Sequence, residues 1–305
     1  MSKVDFLCLR NLSREEIERV LARSADYKRS RKNNNEQRVL DKKAVALVFE
    51  KPSLRTRVSF EIAIQELGWV MSFLENRHVQ LGKREAFLDM AKTLERYVDV
   101  LVLRTYSHSV QEKVADAISI PVINALSESF HPCQIIADLL TIKEVLGHID
   151  GSTIAFVGDG NNIARTMLEV CTLFDVDLRL VSPRLFFPDH EFLEDIHKNL
   201  KGSLLLTESM EEALKDADIV YTDIWVSMGK EEERDLRKRI FLHYQLNSQT
   251  IKLARLTAKV MHCLPAVRGE EVTSEVLDGE HSIVFEQAEN RLHTAKALLE
   301  FITQK

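Results

Sequence analysis

The sequence predicts an α/β protein built as two open α/β domains, each with a central parallel sheet flanked by helices. Three observations carry that expectation. Strand-length apolar runs alternate with helix-length amphipathic stretches, the pattern of crossover-linked parallel strands. The alternation occurs as two series, separated by a break at residues 147–151. A chain of 305 residues is also long for one core, so two domains are the default.

The elements follow in order. Residues 13–27 predict a helix: Ser13 can cap, Glu16 stands three residues on, and Ile17, Val20 and Leu21 make the apolar face. Strands are expected at 44–49, 70–74, 98–103 and 121–124. Between the first two, Phe60, Ala63, Ile64 and Leu67 fall at helical spacing, and Gly68 can end that helix. Residues 131–146 read as a helix with Pro132 in its first turn. The second series has strands at 153–157, 178–181, 219–221, 259–261 and 283–285, and a closing helix over 288–302. The densely charged run 230–239 reads as a solvated edge. In open parallel sheets, ligands bind at the carboxyl ends of the strands.

Bulk properties narrow the function. The composition, 45% hydrophobic and 29% charged, is that of a soluble globular protein. The formal net charge of −6 argues against a general nucleic-acid binder. No apolar stretch approaches the ~20 residues that span a membrane, and residues 1–10 lack the apolar core of a signal peptide. Cys8, Cys133, Cys171 and Cys263 are scattered without metal-ligand spacing. The expectation is a reducing cytoplasm, no disulfide framework and no metal.

The polar clusters fall where such sheets hold ligands. Ser53-Leu54-Arg55-Thr56-Arg57 lies between a strand and a helix, placing two guanidinium groups and two hydroxyls at a helix N-terminus. That end is an anion site, and arginine grips phosphate or carboxylate bidentately. Arg104 follows the third strand. Taken alone it is either a salt-bridged strand-end arginine or an anion ligand. His131 reads equally as a helix cap or as a donor to a carbonyl, and Gln134 could bond an amide. Gly158-Asp159-Gly160-Asn161-Asn162 opens like a dinucleotide fingerprint, but Ile163 fills the third glycine position. No acidic residue ends the next strand either, so a nicotinamide-binding oxidoreductase is discounted. The two asparagines look instead like donors to a carboxylate. Asp223 ends a strand and can hold an ammonium group. Cys263 ends another, as a buried inert thiol or a reactive one. Arg291 precedes the closing helix and alone reads as a surface arginine. Together, Arg55, Arg57, Arg104 and His131 suit a phosphate-bearing substrate, whereas Asn162 and Asp223 suit an amino acid. That combination suggests acyl transfer from a phosphate anhydride to an amine.

Four segments, in order, resemble the aspartate/ornithine carbamoyltransferase superfamily, and its ornithine branch in particular. They are Phe49-Glu50-Lys51-Pro52-Ser53-Leu54-Arg55-Thr56-Arg57, His131-Pro132-Cys133-Gln134, Asp223-Ile224-Trp225-Val226-Ser227-Met228-Gly229 and His262-Cys263-Leu264-Pro265. The resemblance covers nearly the whole chain. It implies a carbamoyl-phosphate-binding domain over 1–147, joined by the C-terminal helix at 288–305. It implies an ornithine-binding domain over 148–287 and an active site in the interdomain cleft. Ser53, Leu54, Arg55 and Thr56, with Arg104, would bind the phosphate, and Leu54 stands where many relatives have Thr. Arg57 would orient the loop. His131 and Gln134 would hold the carbamoyl group. Gln80 would reach a neighbouring subunit's site, implying a homotrimer. Asn162, Asp223, Ser227 and Met228 would bind ornithine, while Cys263, Leu264 and Arg291 would surround the reacting amine and carbonyl. The implied catalytic residues are thus Cys263, Arg291, Arg104 and His131. Val267, where many relatives have His, and Arg165 depart from the pattern. No cofactor is implied. Alternatives are a sister transferase acting on an N-acylornithine or putrescine, and a non-catalytic ornithine-binding paralogue.

Overall fold

The structure, a computed structural model, describes residues 3–33, 42–75, 85–226 and 229–304. Gln80, Ser227 and Met228 lie outside the described residues. The chain divides into two compact units, Met1–Leu140 with Glu289–Lys305, and Thr141–Ala288.

The first unit holds a four-stranded parallel sheet in the order β2-β1-β3-β4, made of β1 (Ala44–Phe49), β2 (Val70–Glu75), β3 (Val100–Arg104) and β4 (Val122–Leu126). Val45–Phe49 and Val100–Leu103 are buried on both faces. That is why they read as unbroken apolar runs rather than alternating ones. Helices α1 (Arg14–Lys32), α2 (Leu54–Glu66), α3 (Phe87–Leu94), α4 (His108–Ala117) and α5 (Pro132–Leu146) connect and flank these strands. The start of α1 is the expected capping box: Ser13 Oγ accepts from Glu16 N at 3.3 Å, and Glu16 Oε2 accepts from Ser13 N at 2.8 Å. After α2, Gly68 adopts φ 79°, a left-handed conformation that ends the helix at little cost for glycine.

The second unit is a five-stranded parallel sheet in the order β7-β6-β5-β8-β9. Its strands are β5 (Thr153–Val157), β6 (Asp177–Val181), β7 (Ser203–Thr207), β8 (Ile219–Thr222) and β9 (Lys259–His262). The helices here are α6 (Asn162–Leu173), α7 (His190–Lys198), α8 (Met210–Leu214), α9 (Arg234–Phe241) and α10 (Ser274–Leu277). Strand β7 was not expected: it is a half-buried edge strand, and Ser-Leu-Leu-Leu-Thr carries only a short apolar signal. Residues 283–285, expected as a strand, are not one. Ser282 makes an isolated bridge to Val260, and the closing helix α11 (Val284–Thr303) has already begun. The charged run 230–239 is not wholly solvated either, because α9 buries Arg237 and Phe241.

Within the first unit, α11 is fixed by buried polar contacts to α1 and α2. Lys296 Nζ meets Glu66 Oε2 at 2.8 Å and lies 4.5 Å above the Tyr27 ring. Glu300 accepts from Tyr27 Oη at 2.8 Å and from Arg23 Nε at 2.6 Å. These contacts seat Arg291, one to three turns back along the same helix.

Strand order decides where ligands go. In each sheet the chain builds outward from one strand and then crosses to its other side, between β1 and β3 in the first unit and between β5 and β8 in the second. The loops diverge there and leave a crevice at the carboxyl ends. Gly160, in the loop after β5, donates its N–H to Phe186 O at 2.8 Å. A Cβ at Gly160 would stand 2.4 Å from that oxygen and 2.7 Å from Pro188 Cδ. Gly160→Ala is therefore expected to destabilise the protein by about 1–3 kcal/mol. Thermal unfolding checks this, and an unchanged Tm would mean the loop yields without cost.

Candidate active site

Both crevices carry the polar clusters. In the first unit, Ser53 caps α2, its Oγ accepting from Thr56 N at 3.3 Å. Arg104 is the last residue of β3, beside β1 at the switch point, and is buried. Its Nε has no hydrogen-bond partner, and it makes no ion pair among the described residues. Burial lowers the Arg104 pKa to about 10, with Arg291 and Arg55 adding repulsion. His131, fully enclosed just before α5, is held well below the usual imidazole value, first by burial and then by Arg291, Arg104 and Arg55. Three guanidinium groups thus surround a neutral imidazole.

Arg291 comes from α11 and is buried. Its Nη2 donates to Thr56 Oγ1 at 3.1 Å, and its Nη1 donates to Gln134 Oε1. Arg291, Gln134 and Thr56 lie far apart in sequence, and the fold brings them into one chain of contacts. The sequence reading of Arg291 as a surface residue, taken alone, does not hold. Arg57, by contrast, is engaged by Glu61 at 2.7 Å and stacks 4.0 Å from the Phe73 ring centroid. Leu54 is 72% exposed, so its side chain adds nothing polar to the loop. Cys133 is a structural thiol: burial pushes its pKa up to about 12, and Sγ donates to Asn124 O at 3.3 Å. Cation and helix-terminus chemistry of this kind holds a phosphate dianion.

In the second unit the crevice is built around Asp223, directly after β8. Its Oδ2 accepts from Asn161 Nδ2 at 2.7 Å, and its Oδ1 accepts from Ile224 N at 2.8 Å and Cys263 Sγ at 2.9 Å. Asn161 also caps α6, accepting from Ile163 N at 2.9 Å and Ala164 N at 3.2 Å. Of the two asparagines expected to donate to a carboxylate, Asn161 is bonded to Asp223. Asn162 is the half-buried first residue of α6. The cap position, a polar residue just before a helical run, was the signal that singles out Asn161.

A second carboxylate, Asp159, stands close enough to Asp223 to raise its own pKa, although burial is the larger cause. Arg237 compensates: its Nη1 meets Asp159 Oδ2 at 2.7 Å and Trp225 O at 3.2 Å. Asp159 is therefore paired, whereas Asp223 makes no ion pair among the described residues.

Asp223, His262 and Cys263 offer ligand atoms within 4.8 Å of one another. The histidine is nevertheless committed. His262 Nδ1 accepts from Leu264 N at 2.8 Å, and Nε2 faces Glu271 Oε1 at 3.1 Å, with both side chains fully buried. Metal ligation through His262 would break one of those bonds, so the group reads as a hydrogen-bond scaffold. Leu264 has φ 56°, a conformation that costs a non-glycine residue about 1–2 kcal/mol, and the His262 contact holds it there. Of the two departures, Val267 joins this scaffold through its backbone N–H, which bonds the same Glu271 oxygen, and Arg165 pairs with Asp189 at 2.5 Å.

Comparisons with known proteins match both halves of the chain. The model of the aspartate/ornithine carbamoyltransferase carbamoyl-P binding domain matches residues 4–144, and that of the Asp/Orn binding domain matches residues 150–302. The ornithine carbamoyltransferase of Methanocaldococcus jannaschii is 43% identical over 298 residues, 96% of this chain and 97% of its own length. That of Bacillus subtilis is 42% identical over 308 residues, covering 99% and 94%. Among solved structures, the ornithine carbamoyltransferase from Pyrococcus furiosus matches with a TM-score of 0.95 at 41% identity, covering 99% and 98% of the two chains.

The buried imidazole has a measurable consequence. His131 has a folded pKa below its unfolded value of about 6.5. Above that pH both states are neutral. As the pH falls below it, the unfolded chain takes up a proton that the folded one refuses. Stability therefore falls by up to about 1.4 kcal/mol per pH unit from this group. His131→Gln should show a shallower acid-side loss than the parent when urea midpoints are compared between about pH 7.5 and about pH 5.5. Parallel losses would contradict the neutral, buried imidazole.

Proposed function

This chain belongs to the aspartate/ornithine carbamoyltransferase family, and on that premise we propose how its two polar sets work. Its activity is ornithine carbamoyl transfer. The carbamoyl group of carbamoyl phosphate passes to the δ-amine of L-ornithine, giving L-citrulline and phosphate. The carrying observation is the contrast between the two crevices: three guanidinium groups about a neutral His131 in one, and an unpaired Asp223 bonded by Cys263 in the other.

Residues 1–147, with the helix at 288–305, take carbamoyl phosphate, and residues 148–287 take ornithine. The α2 N-terminus over Ser53–Thr56, with Arg55 and Arg104, holds the phosphate, and Arg57 steadies the loop through Glu61 and Phe73. His131, Gln134 and Arg291 hold the carbamoyl group. Asp223 takes the α-ammonium, and Asn162, Ser227 and Met228 complete the amino-acid subsite. The neutral δ-amine attacks the carbamoyl carbon, and Arg291 and His131 stabilise the tetrahedral oxyanion. The C–N bond forms, the C–O bond to phosphate breaks, and phosphate leaves with the bonding pair, its charge met by the arginines. The amine's proton leaves with the phosphate as hydrogen phosphate, and Cys263, with the Leu264 backbone, steers the amine. Orientation of both substrates contributes much of the rate.

Gln80 is read as reaching a neighbouring subunit's site in a homotrimer, and a monomer mass by light scattering would remove that shared site. We place the protein in the cytoplasm, in keeping with the lack of disulfides among the described residues. Among those residues no helix is long and apolar enough to cross a membrane.

Product formation from carbamoyl phosphate with ornithine, N-acetylornithine, N-succinylornithine, putrescine and aspartate tests the reading. Citrulline from ornithine alone is expected, and preference for another amine would reassign the Asp223 subsite. Cys263→Ser should lower kcat by about 10²-fold while KM for carbamoyl phosphate stays nearly constant. Full activity in the variant would strip Cys263 of its role. Arg55→Ala should weaken carbamoyl-phosphate binding by about 2 kcal/mol, read by calorimetric titration. Unchanged affinity would detach Arg55 from the phosphate.

A further inference from the structure

The side-chain amide of Gln134 is held in one orientation by buried charged groups on both sides. Its Nε2 donates to Asp138 Oδ1 at 2.8 Å, one turn along α5, and its Oε1 accepts from Arg291 Nη1. Gln134 and Asp138 are almost wholly enclosed. An ionised carboxylate only accepts and a guanidinium only donates, so both contacts demand the same assignment. A flipped amide would set its NH2 against Arg291 and its oxygen against Asp138, two repulsive contacts with no water to relieve them.

We infer that Asp138 is a positioning residue through which this site selects a carbamoyl group over other acyl phosphates. The inference rests on the proposed contact between Gln134 and the carbamoyl group. A carbonyl oxygen has two lone pairs. Among the described residues Arg291 alone donates to Gln134 Oε1, so one acceptor direction stays open. A carbamoyl NH2 can fill it. The methyl group of acetyl phosphate is of similar size but has no N–H, and would leave that buried acceptor unmatched. Without Asp138 the amide could turn and present its own NH2 to the substrate NH2, and the discrimination would be lost. The phosphate contacts proposed above lie at the α2 N-terminus and at the end of β3, on elements other than α5, so phosphate recognition is separable from acyl recognition.

Calorimetric titration with carbamoyl phosphate, acetyl phosphate and inorganic phosphate tests this. The parent should bind carbamoyl phosphate at least about tenfold more tightly than acetyl phosphate. Asp138→Leu should bring that ratio close to one while inorganic phosphate affinity stays within about threefold. Asp138→Asn, which keeps an acceptor, should retain most of the ratio. If Asp138→Leu does not fold, Asp138→Ala carries the same expectation. Gln134→Leu separates the premise from the inference. A ratio unaltered in Gln134→Leu would refute the carbamoyl contact itself. A ratio lost in Gln134→Leu but kept in Asp138→Leu would overturn the role of Asp138. So would a parental ratio near one, or a parallel loss of all three affinities in Asp138→Leu.

Discussion

Like charges repel, and the first unit is organised around holding three of them beside a buried imidazole. Arg104 has a pKa of about 10 against an ordinary 12.5, which is about 3 kcal/mol of environment hostile to its charged form. Burial is the main cause and the neighbouring arginines the next. The scaffold has to bear that cost. Arg104 is set by β3, and Arg291 by Thr56, Gln134 and Asp138. The helix carrying Arg291 is locked to α1 and α2 through Lys296 and Glu300. On the proposed reading, a bound dianion would offset that repulsion. Electrostatic preorganisation is the physical content of such a site.

The second unit solves the opposite problem. An ammonium needs one available carboxylate, but two approach each other at its switch point. Arg237 removes the ambiguity by pairing with Asp159, and it also binds the Trp225 carbonyl of the loop after β8. Asp223 remains, oriented by Asn161 and Cys263 rather than neutralised by a cation. A hydrogen-bonded carboxylate keeps its charge for a ligand, whereas an ion-paired one has already used it.

Much of this was legible in the sequence, and the rest was hidden for identifiable reasons. Alternating runs revealed both sheets because parallel strands buried on two faces are written as contiguous apolar residues. The Ser13 cap was readable because capping is local. Strand β7 was not, since a half-buried edge strand needs few apolar residues. The bridge at Ser282 is one residue long, and the apolar residues after it belong to α11. Long-range pairing was the larger gap. Nothing near Arg291 announces Thr56, 235 positions away, and nothing in a charged run marks Arg237 as its buried member. Asp138 carries no signal of its own in the sequence, and its bond to Gln134, four residues earlier, shows only in the structure.

The hydrogen bonds also constrain where the reaction's proton can go. Two histidines stand among the residues singled out, and neither is a ready acid. His131 is neutral because burial and three arginines oppose its protonation. His262 accepts a peptide N–H at Nδ1, so that nitrogen carries no proton, and its other nitrogen is turned to Glu271. His262 acts on backbone shape: it holds Leu264 in a left-handed conformation and so fixes the turn that carries Cys263. The thiol is then one of two neutral side-chain donors bonded to Asp223, at 2.9 Å, with the Asn161 amide at 2.7 Å. With both of these imidazoles committed, what they contribute is the shape of the site.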